Sequence, residues 1–314
     1  MSSPRFGIGS LQVGRMMELA GSSEGLLEYI LTFDHAAAVR DLAEHGFGIV
    51  ELSSDVEIFL PGAYSEAAVA GLLDLKRETG LAYTVHLPMW SVEPSSPQQD
   101  VRRGSVDAVV RAIKATLPLE PEVYVLHATN ALAAEMGRWS LPPVARGALI
   151  GILQENAGRS LAEILEATGI ASRTLAIETI EFPFDQTLEL AEELDLGVCV
   201  DVGHVLAGFS GALDPFEALE RAMPRLAEIH LHDSPRMGPA GEMRYDQDHR
   251  PLGEGDLDVG RLLDVLVAAE FSGPVVFELT LAQAVASLEI ITRHRPASSS
   301  GTGPQVLDKL DRVL

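Results

Sequence analysis

At 314 residues, 46% hydrophobic and 22% charged, the chain is long enough to bury one large core or two smaller ones, and no shift in composition divides it. Its formal charge of −23, with no Lys/Arg run, argues against a nucleic-acid partner, because such binders carry a basic footprint that neutralises phosphates. The single cysteine, Cys199, excludes an intramolecular disulfide framework and a thiolate metal cluster, so any metal must be held by His, Asp and Glu.

The first residues carry neither a basic n-region nor a signal-type apolar core, and no stretch reaches the roughly 18 apolar residues of a membrane helix. The expectation is a cytoplasmic protein without a membrane partner. In chain order, eight short apolar or β-branched runs predict strands: Phe6–Leu11, Ile49–Ser53, Ala82–Pro88, Val123–Ala128, Thr174–Ile180, Gly197–Asp201, Glu228–Asp233 and Pro274–Thr280. Segments of helical period lie between them, at Ala36–Glu44, Ala67–Glu78, Val106–Thr116, Ser160–Ala167, Leu188–Leu194, Phe216–Arg221 and Val259–Ala269. Such alternation implies parallel strands joined by helical crossovers, and eight of them fit a (β/α)8 TIM barrel better than an open sheet.

Gly46, Gly80, Gly169 and Gly273 stand where helices should stop, and Asp34 and Asp256 where they should start. Long loops are expected at Met89–Arg103, Thr129–Leu141 and Ser234–Asp256, on the rim of the barrel mouth, where Trp90, Trp139, Met237 and Tyr245 would either face substrate or pack against the barrel. The spacing predicts a single barrel domain over 1–296. ASSSGTGP at 297–304 reads as a flexible linker and 305–314 as a tail helix.

The strand ends carry the chemistry. Strand two ends in Glu51, strand three in His86, strand four in His127 and strand five in Glu178. Strand six ends in Asp201, with His204 just beyond; strand seven carries His230, His232 and Asp233, and strand eight ends in Glu278. Residues alternate faces along a strand, so Glu178 points inward with Ala176, His230 with His232, and Glu278 with Val276. Ionisable groups converging from so many strands would be an expensive core, since each unpaired buried charge is costly. A divalent cation such as Mn, Zn, Mg or Co removes the difficulty, with Glu178, Asp201, His230 and Glu278 as its ligands. Glu51 reads as a substrate-orienting residue of the mouth, and Cys199 as a small core hydrophobe. GEGD at 253–256 reads as a turn that lets the next helix start, rather than as a phosphate cradle.

The pieces VHLP at 85–88, VLHA at 125–128, AIETIE at 176–181, DVGH at 201–204, IHLHD at 229–233 and DHRPLGEGDLD at 248–258 resemble the xylose isomerase-like TIM barrels, the AP endonuclease family 2 superfamily of sugar-phosphate isomerases, epimerases and endonuclease IV. The resemblance implies that Glu178 and Glu278 exchange protons with the substrate carbon across a metal-bound enediolate, that His204 holds a substrate oxygen, and that Arg236 and His232 contact substrate. In endonuclease-like members it implies further imidazoles around three zinc ions, for which His86, His127, His204 and His249 are candidates. Those members want Asp-x-His before the last of these, whereas this chain reads Gln247-Asp248-His249, with Asp246 and Asp248 flanking the expected place.

The expected function is a divalent-metal-dependent isomerase or epimerase of a small sugar, sugar phosphate or related polyol. The alternative is a multinuclear hydrolase of a small-molecule phosphodiester, a class to which YTVHLP and VCVDVGH add a resemblance to enzymes that remodel cobamides. A non-catalytic binding barrel stands third. A small-molecule substrate and a homo-oligomer are the expected partners.

Overall fold

The structure, a computed structural model, describes residues 4–294 apart from 131, 132, 134, 135, 137, 138 and 140. The linker expected at 297–304 and the tail helix expected at 305–314 lie outside the described residues. Eight parallel strands close into a barrel in chain order: β1 (Arg5–Gly9), β2 (Ile49–Ser53), β3 (Ala82–His86), β4 (Tyr124–Leu126), β5 (Leu175–Glu178), β6 (Gly197–Asp201), β7 (Leu226–Leu231) and β8 (Pro274–Phe277). The fold is a (β/α)8 TIM barrel, and each expected run supplies one of its strands.

Around the barrel lie α1 (Val13–Ala20), α2 (Ser23–Leu31), α3 (His35–Glu44), α4 (Val56–Phe59), α5 (Glu66–Thr79), α6 (Gln99–Thr116), α7 (Pro143–Thr168), α8 (Phe184–Glu193), α9 (Val202–Ala207), α10 (Pro215–Ala222), α11 (Val259–Ala268) and α12 (Leu281–His294). Five of these, α1, α2, α4, α9 and α12, lie outside the helical segments named from the sequence, and α1 has no fully buried residue although Met16 packs against the core. The expected loop 89–103 is shortened because α6 starts at Gln99, and α7 extends far N-terminal of the predicted Ser160–Ala167.

Helix punctuation follows the sequence in part. Asp34 accepts from the Ala37 N–H, and Gly80 and Gly169 close α5 and α7 with φ of 73° and 67°. Gly46, φ 95°, follows the end of α3. Two expectations are corrected. The cap of α11 is Asp258, which accepts from the Arg261 N–H, not Asp256. Gly273 is not among the left-handed residues; it precedes β8 because a Cβ there would stand 2.5 Å from the Phe271 ring and 3.0 Å from the Ala227 carbonyl.

Outward strand residues pack under the helices in one large apolar cluster, while Val123, Val125, Ala176 and Cys199 fill the barrel interior as a second, smaller one. Small interior side chains leave room above them for ionisable groups. A register shift between Val198 and Cys199 sets Asp201 directly opposite His230 across the β6–β7 pair. One polar pair sits inside the barrel below the mouth, where Thr84 Oγ1 donates to Glu228 Oε1 at 3.0 Å. Burial beside Glu51 pushes the Glu228 carboxyl well up, against the opposing pull of His230, Thr84 and His86.

Candidate metal centre at the barrel mouth

Glu178 is the hub. Buried at the end of β5, it places Oε2 3.0 Å from His127 Nε2 and 3.3 Å from His86 Nε2, while Oε1 lies 3.1 Å from His204 Nδ1. Oε2 is also 3.5 Å from His230 Nδ1, which stands 3.4 Å from Glu278 Oε1 and 3.9 Å from Asp201 Oδ2. Glu51 holds the other face of that ring, Oε2 to Nε2 at 3.2 Å. His86 lies edge-on to His127 and stacks on His230.

The second end of the cluster is carried by α9 and the segment after β7. Asp201 Oδ1 caps α9 by accepting from the His204 N–H at 2.6 Å, which fixes the His204 ring beneath Phe209. His204 Nε2 is 3.4 Å from Asp248 Oδ2, and Asp248 Oδ2 is 2.8 Å from His249 Nδ1. Consecutive residues of an extended chain point to opposite sides. His249 adopts φ 53°, a left-handed conformation that interrupts the alternation and lets Asp248 and His249 meet side by side.

Among the described residues several overlapping donor groups result, within each of which the ligand atoms lie within 4.8 Å of one another; three of them are His86, His127 and Glu178; Glu178, Asp201, His230 and Glu278; and His204, His232, Asp248 and His249. Their chemistry fits divalent cations, oxygen and imidazole nitrogen throughout. One atom fits especially well: the Nδ1 of His230, facing Glu178 and Glu278, is buried with no hydrogen-bond partner, an expensive state for a polar nitrogen that a ligand would relieve. Electrostatics tell the same story. Burial disfavours imidazolium, yet His230 and His204 are held well above the usual histidine range by surrounding carboxylates, and His86, beside Glu178, Glu51 and Glu278, is raised to about 9. His249, next to Asp248 and Glu278, is likewise raised to about 9. Burial would lift Glu178 and Glu278, but the facing imidazoles hold both well below the ordinary carboxylate range.

A cavity of about 360 Å³ opens on the cluster, lined by Gly9–Gly14 after β1 together with Glu51, His86, His249 and Glu278. Gln12 shapes its wall by donating to the carbonyls of Gly9 and Leu279 and accepting from the Leu281 N–H, which ties the β1 end to the β8 end. Sequence reasoning gave this loop no role; an isolated Gln carries no readable signal.

Of the sequence-predicted residues, the mouth brings together Glu51, His86, His127, Glu178, Asp201, His204, His230, His232, His249 and Glu278. It does not bring Arg236, which pairs with Asp214 at 3.4 Å on the outside and whose N–H donates to Asp256 Oδ2 at 2.8 Å. Asp248 joins the cluster, and Asp246 is exposed. Among the rim residues, Met237 packs on Gly208 and Tyr245 on Phe209, whereas Trp90 and Trp139 are exposed. The GEGD turn is organised by Asp233, which accepts from the N–H groups of Ser234, Gly253 and Leu257; a Cβ on Gly255 would come 2.3 Å from its Oδ1. Among the described residues no helix is long and apolar enough to cross a membrane.

Comparison with known proteins agrees with this architecture. A protein of Methanocaldococcus jannaschii described as uncharacterized, MJ1311, is 24% identical over 270 residues, 82% of this chain and 84% of its own. Similar structures include a D-tagatose 3-epimerase-like protein (TM-score 0.67, 20% identity, 99% of this chain and 100% of that one) and the E. coli 3-keto-D-glucoside 4-epimerase YcjR in its apo form (0.63, 15%, 93% and 100%). Endonuclease IV of Thermus thermophilus is equally near in shape (0.62, 19%, 93% and 98%). At these identities the likeness is one of fold. The model of the xylose isomerase-like TIM barrels matches residues 39–297, and the chain belongs to that family.

Proposed function

We propose that the protein is a divalent-metal-dependent hydrolase of a small-molecule phosphodiester. The observation that carries the reading is the sharing of Glu178 between the His86–His127 pair and the Asp201–His230–Glu278 group, with His204, Asp248 and His249 forming a third group alongside. A one-cation isomerase site needs two proton-exchanging carboxylates, and the imidazoles at 3.0 and 3.3 Å from Glu178 Oε2 add donors beyond that set. Divalent ions held by these residues would generate a nucleophile from water at neutral pH and neutralise phosphate charge. The chain's own part is to fix the donors and admit the substrate. Among the described residues the cavity lining holds neither Lys nor Arg, and the donor groups themselves face the phosphate charge. The charge of −23 turns away long polyanions and leaves compact substrates.

A second reading, isomerisation or epimerisation of a small sugar, is favoured by the group Glu178, Asp201, His230 and Glu278 taken alone, and by the epimerases among the similar structures. One experiment separates the two. Elemental analysis of the purified protein, followed by assays with bis(4-nitrophenyl) phosphate and with a cobamide, should find more than one tightly held zinc-like ion per chain and phosphodiester cleavage. A single exchangeable Mn, Mg or Co, together with solvent deuterium entering a ketose, would replace hydrolysis by isomerisation.

A further inference from the structure

By distance His232 falls in the group with His204, Asp248 and His249 and in another with Asp201, His204 and Glu278, and its surroundings give it other work. The ring is fully buried one residue past β7. Its Nδ1 lies 2.9 Å from the backbone nitrogen of His249, and its Nε2 lies 3.1 Å from the Asp201 carboxylate. A backbone N–H can only donate, so Nδ1 accepts and is bare, and the ring proton sits on Nε2, pointing at Asp201. The Asp233 carbonyl, 3.4 Å from Nδ1, is then a neighbour and not a partner. The two rings His232 and His249 stack with centroids 4.1 Å apart and planes 11° from parallel. Gly203 also lies against the ring, where a Cβ would stand 2.1 Å from His232 Cε1 and Nδ1. Both ring nitrogens are used, and His204, His249 and Gly203 all pack against the ring.

We propose that His232 is a positioning residue, which latches the Asp248–His249 segment to the barrel by accepting from the His249 amide and passes that placement to Asp201 through Nε2–H. It neither ligates a metal nor touches substrate. The proposal rests on the metal-centre reading only in taking His204, Asp248 and His249 as ligands; the latch is a property of the folded chain. It also explains the glycine of DVGH, which is the notch that admits the ring.

The test uses the full-length wild-type protein labelled with nitrogen-15 at histidine. In metal-free protein His232 should show a bare Nδ1 and a protonated Nε2. On addition of cadmium-113, His204 and His249 should acquire cadmium coupling and His232 none; coupling at His232 would overturn the proposal. Amide exchange at His249 should rise about tenfold in His232→Ala and recover in His232→Gln, whose carboxamide offers an acceptor and a donor at similar spacing. Unchanged protection in His232→Ala, or a protonated Nδ1 in the wild type, would also overturn it. A protein that takes up no cadmium would remove the metal reading, while the latch would still be decided by the metal-free spectrum and the exchange rates.

Discussion

Asp248 Oδ2 lies 3.4 Å from His204 Nε2, so a carboxylate one position out of its expected place in the chain still completes the group to which His204 belongs. The left-handed turn at His249 makes this work, because it brings neighbouring side chains to one side. Asp248→Asn should lower affinity for the ion held with His204 and His249 by about tenfold or more, whereas Asp246→Asn, on an exposed side chain, should leave it unchanged. Competition titration with a zinc chelator measures both; equal losses would assign the carboxylate role to Asp246 as well.

Glu178→Gln should empty two donor groups at once, since its carboxylate serves both. The expected result is a fall in bound metal exceeding that of Glu278→Gln, with turnover reduced by more than about a hundredfold. Elemental analysis of the two variants side by side reads the difference.

The imidazoles fix the direction of the pH response. His86 and His249 are raised to about 9 in the folded chain, so in metal-free protein they add stability that is complete below about pH 6.5 and lost as pH climbs through about 9. Metal must displace those same protons, so affinity should rise across that interval and proton release should accompany binding. Thermal melts of metal-free and zinc-loaded protein at pH 6.5, 8 and 9.5 should therefore diverge as pH rises; parallel curves would refute the coupling.

Gly203→Ala introduces a methyl group into the ring of His232, with no space to receive it. A loss of about 1–3 kcal/mol of stability is expected, as for other overpacked sites, together with weakened metal binding at the third group. Gly104→Ala, where a Cβ meets nothing within 4 Å, is the control. Urea unfolding of both variants gives the comparison.

How far the sequence could be read follows from which forces leave a local trace. Buried parallel strands are apolar on both faces, so Ala176 and Ile177 before Glu178, or Val198 to Val200 before Asp201, announce themselves and the residues that end them. The place of Arg236 and the entry of Asp248 depend on how the segment 234–257 folds back over the mouth. That path is set by Asp233 gathering three amides and pairing its own backbone with Arg250, contacts between residues far apart in the motif. Asp256 and Asp258 are equally good caps by type, and only the start of α11 chooses between them.

The sharing of Glu178 has a thermodynamic consequence. A carboxylate can be neutralised only once, so the first ion to settle on it removes part of the attraction felt by the second while fixing the geometry the second requires. If the two neighbouring groups each take an ion as proposed, their occupancies are linked, each altering the other's affinity by the same factor. A calorimetric titration should resolve unequal steps, and the weaker step sets the free metal concentration at which the protein becomes competent.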